Sequence, residues 1–367
     1  MRAKPFPAIA ASLLLASCAV APPAPPPLEV IAAAPNAPGN ITVTPDGLVV
    51  VSVHPSFESD VAAYVAAGGE VEAFPEGGAG RIATGDGPGM RRVLSVRADR
   101  DGMVWLLSGQ PGPNPRTFYV WDLAARAMDR VIEIEPGDVA IPSSFFNDIA
   151  LAPSRGVLVV SDPAGGGPAL VVLDMETGEG RRLLENHVSV VAEDIDALID
   201  GRALSQARDE AGALVLLRGA VNPITIDAAE EWVYYGPMSG TSLYRVRLAD
   251  LLDESLAPDT LGARVERFGD KPPSAGITID DAGNVYVTDV GARGVGVTAP
   301  DGSYRVLVQD DVLLDWPDGL AVGDDGYVYV AANGLYRTWF SHQDMGAPAP
   351  PFPLVRFKAL APTTAGR

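Results

Sequence analysis

Apolar residues recur along the chain in short runs, paired around a polar turn. In "AGITIDDAGNVYVTD", which starts at Ala275, a run holding Ile277 and Ile279 meets the turn Asp281-Ala282-Gly283-Asn284. A stronger run with Val285, Tyr286 and Val287 follows. β-Branched and aromatic side chains at this density suit a pleated, packed surface. Asp and Gly suit a tight reversal, since glycine takes positive φ without a Cβ clash. No run here is long enough for an ordinary helix. Two more runs and the turn Pro300-Asp301-Gly302 complete a four-stranded antiparallel meander over residues 273–310. Alone, it would leave both faces and two edges open, so it needs neighbours.

The neighbours are copies of the same pattern. They start at Gly39 ("GNITVTPDGLVVVSV"), Val93, Asn147, Asn222, Ala275 and Asp318 ("DGLAVGDDGYVYVAA"), which makes six. Their turn glycines are Gly47, Gly102, Gly156, Gly283 and Gly326, with Glu231 where the fourth copy is expected to carry one. From Leu28 to Lys358 the period is about 55 residues, near that of long-repeat propellers. The expected fold is all-β: a six-bladed propeller of four-stranded antiparallel blades, in which radial packing protects the sheet edges. "LEVIAAA", Leu28 to Ala34, has no partner in the first copy and is expected to close the ring beside "YVYVAA" and "LVRFK" of the last. Gly156 to Glu231 spans 75 residues against 54 from Gly102 to Gly156. The excess, residues 186–219, reads as an insertion on one face, an irregular arm or a short helix plus hairpin. Such insertions either carry function or are plain loops.

The N-terminus changes the picture of location. Arg2 and Lys4 precede an apolar stretch from Ala8 to Leu15, and "LASC", Leu15 to Cys18, follows. This is the pattern of a secretory signal, residues 1–18, outside the fold. "LASC" resembles a bacterial lipobox, which implies a lipid on Cys18, the chain's one cysteine. Residues 19–27, with "APPAPPP", read as a stiff tether, 28–360 as the propeller and 361–367 as a tail. Ala19 lacks the acidic character associated with inner-membrane retention, so a bacterial outer-membrane lipoprotein, periplasmic or surface-exposed, is expected. A net charge of −20 argues against nucleic acid and against an anionic membrane surface as partner. Contact with the membrane is expected through the lipid alone, and the body as a monomer. Cys18→Ser should release the protein from the membrane fraction with the propeller still folded; unchanged membrane association would refute the lipobox reading.

The segments "FNDIAL", "LVVLDMETGEGRRLLE", "NPITID" with "WVYYGPMSGTSLYRV", "KPPSAGITIDDAGNVYVTDV" and "WPDGLAVGDDGYVYVAANGLYR" together resemble the yellow/major royal jelly protein family. The match is to its bacterial branch, often described as L-dopachrome tautomerase-related proteins. The resemblance implies a six-bladed propeller. It does not imply one reaction, since some relatives are associated with dopachrome conversion and others with binding small aromatic amines in the channel. A weaker, partial similarity is to the SMP-30/gluconolactonase-like propellers, which hold a divalent cation with Glu, Asn and Asp. Where those carry an acidic residue in the first blade, this chain has Gly39-Asn40. Where royal jelly relatives read Ser-Asp-Gly, it has Ser274-Ala275-Gly276.

In a propeller the first strand of each blade lines the axis, and the residues just before it ring one mouth of the channel. Those residues are Asn40, Arg91 and Arg92, Asn147 and Asp148, Asn222, Lys271 to Ser274, and Trp316 with Asp318. Asn147, Asp148, Asn222, Trp316, Asp318, Arg92 and Lys271 are the candidate ligand contacts. Asn147, Asn222 and Asp318 carry oxygens suited to Ca²⁺ or Mg²⁺, although Asn and Asp before a strand also cap turns. Trp316 could stack on an aromatic ligand. His54, His187 and His342 lack zinc spacing; His187 opens the insertion and could reach a mouth. No Gly-x-Ser-x-Gly occurs, and "PAGGGP", Pro163 to Pro168, has no Lys or helix after it, so it reads as a turn. The expected function is the binding, or the binding and transformation, of a small polar or aromatic molecule at the mouth. A metal-dependent lactonase-like hydrolase and a protein-interaction scaffold stand as alternatives.

Overall fold

The computed structural model describes residues 24–83 and 89–366. Residues 1–18, expected from the sequence to be a signal segment ending at Cys18, lie outside them. Six four-stranded antiparallel sheets are arranged as a β-propeller. Their innermost strands are Pro38–Val43, Ser95–Ala98, Ile149–Ala152, Val221–Ile226, Ile277–Ile279 and Pro317–Val322. Each is almost wholly buried, as expected of strands that face the channel on one side and the next blade on the other. The core is a series of apolar layers between adjacent blades. One combines Ile149, Leu151 and Val160 of blade 3 with Trp105, Leu107 and Phe118 of blade 2.

The ring closes as the sequence led one to expect. Glu29–Ala34 pairs antiparallel with Phe352–Lys358 and becomes the outermost strand of blade 6. The turn glycines take positive φ, from 64° at Gly156 to 87° at Gly47. In the fourth copy the left-handed residue is Glu230 (φ 53°), one position before Glu231. Its N–H donates to Asp227 O, just as Gly283 donates to Asp280 O, so Glu230 is the true counterpart of the glycines.

The insertion contains no helix. It forms two small hairpins, Leu198–Ile199 with Arg202–Ala203 and Ser205–Arg208 with Leu214–Leu216. Asp200-Gly201 has positive φ at both positions (51° and 72°), the pair a two-residue hairpin turn requires, and this local chemistry overrides the helical look of the segment. The short helices Leu248–Leu252 and Pro258–Gly262 lie instead in blade 4, between its third and fourth strands.

Candidate functional site

The starts of the innermost strands bring side chains from blades 1, 2 and 3 into one hydrogen-bonded group. Asn40 Nδ2 donates to Asp148 Oδ1, and Ser95 Oγ donates to the same oxygen at 3.2 Å. Arg97 donates to Asn40 Oδ1 at 2.6 Å and to Ile41 O at 3.0 Å. Burial pushes the Asp148 carboxyl up to about 6, against the pull of Arg97, Ser95 and Asn40. Burial likewise lowers Arg97, and the Asp148 charge opposes that. In blade 6, Asp318 Oδ2 accepts from Asn333 Nδ2 at 2.7 Å, and the same nitrogen donates to Pro38 O. Part of the Asp318 surface is open, yet desolvation dominates: it lifts the carboxyl to about 7, the Asn333 bond opposes it, and the nearby Asp148 charge adds to it. Asn147 is buried and Asn222 partly so, and their side-chain amides make no hydrogen bond among the described residues.

The bore behind this mouth is narrow. At the equivalent register the six innermost strands carry Thr42, Arg97, Ala150, Thr225, Thr278 and Ala321. Five small residues and one arginine leave a cavity of about 10 Å³, room for about one water. The far mouth, where the first turn of each blade lies, is crossed by the C-terminal segment. Asp281 N–H donates to Pro362 O, Ala365 N–H to Asp324 Oδ1, and Arg100 to Ala365 O. Gly366 lines the end of the bore.

The match to the major royal jelly protein model covers residues 93–348, well over half of the chain. The chain belongs to the major royal jelly protein family. No curated protein matches the sequence. Among solved structures, the calcium-binding protein regucalcin from Agrobacterium tumefaciens is 14% identical, with a TM-score of 0.57 over 93% of this chain and 98% of that one. A luciferin-regenerating enzyme is 13% identical, with a TM-score of 0.58 over the same shares. A gluconolactonase from Xanthomonas campestris is 10% identical, with a TM-score of 0.53 over 90% of this chain and 88% of the other. At these identities the likeness establishes the propeller fold and no more.

In this royal jelly family member three expected ring residues take other places. Arg92 lies three residues before the innermost strand of blade 2 and bonds outward to Pro55 O, Phe57 O and Glu58; Ser95 holds the ring position. Lys271, six residues ahead of its strand, is buried with Nζ 3.0 Å from Gly240 O and from Pro272 O, and burial lowers it to about 7. Trp316 does not face the mouth for stacking. It is 1% exposed, packed on Tyr336 at 6.1 Å and Trp339 at 5.0 Å beneath the insertion. Leu204, Leu217 and Ile199 of the insertion share this apolar cluster with Ala275. That contact accounts for the alanine, since a carboxylate at 275 would be buried in an apolar roof without compensation.

A hard-cation site needs several convergent anionic or neutral oxygens. Here Asp148 is engaged by Asn40 and Ser95, and the Arg97 guanidinium supplies positive charge beside it. No group of three His, Cys, Asp or Glu suited to a metal occurs among the described residues. The candidate cation ligands Asn147, Asn222 and Asp318 offer two neutral amide oxygens and one carboxylate. Arg97, Ser95 and Asn333 lie within or after the strands and so escape a reading of the residues that precede them. The signal for Arg97 was present: an arginine at a position where the other copies carry Thr or Ala.

Holding Asp318 in this environment should reduce stability. A carboxyl whose folded pKa is raised binds its proton more tightly in the folded state. Stability therefore falls as pH climbs from about 4 towards 7 and stays low above. Asp318→Asn keeps an acceptor for Asn333 and should stabilise the protein by on the order of 3 kcal/mol at pH 8 and by almost nothing at pH 4. Urea unfolding at the two pH values measures this.

Proposed function

We propose that this protein binds a small polar or aromatic molecule at the channel mouth and moves a proton on it, in an extracytoplasmic compartment and tethered by lipid on Cys18. The observation that carries the reading is the pair of carboxyls Asp148, which is buried, and Asp318, which is partly exposed. They come from different blades, interact electrostatically and are lifted towards neutrality. One can hold a proton while the other lacks it, the condition for relocating a proton within a substrate. Such an isomerisation needs no second reactant. The unpartnered amides of Asn147 and Asn222 would orient the ligand, and the C-terminal segment across the far mouth leaves one side for entry.

The second reading is a metal-assisted hydrolase, favoured by the names of two structural neighbours, a calcium-binding protein and a gluconolactonase. A bound cation would polarise a carbonyl and activate water. Calorimetry with Ca²⁺ and Mg²⁺, alongside a screen of phenolic and catechol-derived amines, separates the two. The proton-transfer reading expects chelators to leave ligand binding unchanged. It also expects Asn147→Ala and Asn222→Ala to weaken binding comparably, by about tenfold each. Stoichiometric cation binding lost chiefly in Asp318→Ala would overturn it.

A further inference from the structure

A cavity of about 590 Å³ opens at the rim of the disc, between the outer strand of blade 3 (Gly180–Leu183) and the helical segment of blade 4. Its volume falls in the range of small-molecule sites, about 300–1,000 Å³. Leu183, Leu184, Leu256 and Leu261 give it an apolar floor, and His187 projects into it.

The chain places that imidazole with care. Leu184 and Asn186 both adopt left-handed backbone, φ 56° and 57°, a conformation that is uncommon for asparagine and an outlier for leucine. The turn is pinned by His187 N–H to Leu184 O at 3.0 Å and Asn186 N–H to Pro168 O at 2.9 Å. The ring is pinned as well. His187 Nδ1 lies 3.3 Å from the Ser189 backbone N–H and 2.8 Å from Ser189 Oγ, which in turn is 2.9 Å from the Tyr235 hydroxyl. A backbone N–H can only donate, so Nδ1 is the acceptor and the ring proton sits on Nε2. Tyr235 then donates to Ser189, and Ser189 to His187. Burial holds His187 below the usual imidazole range, so the ring is neutral near pH 7. Nε2–H has no partner among the described residues. Gly262 faces it, and a Cβ there would stand 3.4 Å from Nε2 and 3.2 Å from Cδ2. The space over the ring exists because residue 262 has no side chain.

Charge narrows the ligand. Glu185 and Asp259 stand exposed on the rim. The one cationic lining residue, Arg182, is engaged by Asp162 at 2.5 Å and Glu185 at 3.0 Å. Among the described residues, no unpaired cationic side chain lines the cavity to favour an anion. We propose that this groove is a second binding site, for a neutral, mainly apolar, ring-sized molecule that offers one accepting oxygen to His187 Nε2–H.

The test uses Nile red, a neutral dye with a carbonyl oxygen, against anilinonaphthalene sulfonate, an anion of similar apolar character, with the whole protein. Nile red should bind saturably, and the sulfonate at least about tenfold more weakly. His187→Leu should weaken Nile red by about five- to tenfold, the worth of one hydrogen bond, while His187→Gln, which retains a donor, should keep most of the affinity. Gly262→Leu should abolish binding by filling the space. Asp318→Asn, a change at the channel mouth, should leave Nile red unaffected, so failure here is distinguishable from failure of the mouth as a site. Nitrogen NMR of His187 should show the Nε2–H tautomer, with a shift on dye addition, whether or not the glycine variant folds. Equal dye affinity in wild type and His187→Leu, or an Nδ1–H tautomer, would overturn the proposal. So would a dimer that Gly262→Leu dissolves while no dye binds.

Discussion

Removing residues up to Pro35, and with them the strand Glu29–Ala34, should lower the melting temperature by on the order of 10 °C or more and reduce soluble yield. The strand is remote in sequence from the blade it completes. Its backbone pairs with Phe352–Lys358 from Glu29 opposite Arg356 to Ala34 opposite Phe352. Ala32 and Ala34 are buried, and Ala32 packs in the layer between blades 6 and 1 with Val51, Tyr329 and Leu354. Glu29 adds a 3.0 Å bond to Arg356, but that pair is half-exposed and contributes little. The larger loss is the ladder itself. Without it, Phe352–Lys358 becomes an open edge whose residues Phe352, Leu354, Val355 and Phe357 are buried in the intact blade, a template for association between molecules. A truncated protein that melts with the full-length one would show that the closure carries no stability. Static light scattering during the melt separates simple unfolding from edge-to-edge aggregation.

The fold could be read from the chain because each blade announces itself locally. Apolar runs, an acidic or glycine turn and a second run are enough to define a hairpin, and the period does the rest. The closing strand was legible by elimination, since "LEVIAAA" had no partner nearby. What failed was anything set by a residue's exact distance from its strand. Arg92 and Lys271 were placed in the ring, yet three and six residues of loop carry them to other partners. Trp316 precedes its strand immediately but is covered by an insertion whose packing no local pattern reveals. Asn147, Asp148, Asn222 and Asp318 do lie at the starts of innermost strands, as the repeat dictates. Their neighbours come from other blades, so the Asn40–Asp148–Arg97 group emerges only when the ring is closed.

Arg97→Met should cost about 3–5 kcal/mol at pH 8 and only about 1–2 kcal/mol at pH 5. Arg97 is 5% exposed and Asp148 is 4% exposed, so neither charge is screened by solvent. Methionine keeps much of the volume in the bore but removes the charge that opposes the desolvation of Asp148. The Asp148 carboxyl, already lifted to about 6, would rise further. The sign follows from proton binding. Below pH 6 the carboxyl is mostly protonated with or without Arg97, and the variant loses only the hydrogen bonds to Asn40, Ile41 and Val96. Above it, the wild-type carboxylate is offset through space by the Arg97 charge, while the variant must either leave a bare buried carboxylate or hold a proton against the solvent. The deficit therefore grows as pH climbs from the wild-type pKa to the higher pKa of the variant, and is constant beyond. Adding Asp148→Asn removes the uncompensated charge and keeps an acceptor for Ser95, so the double variant should regain most of the loss at pH 8. Urea unfolding of the single and double variants at both pH values measures the coupling directly. A cost that is the same at pH 5 and pH 8, or a double variant no more stable than Arg97→Met, would mean that Arg97 acts by filling the bore and not by balancing Asp148.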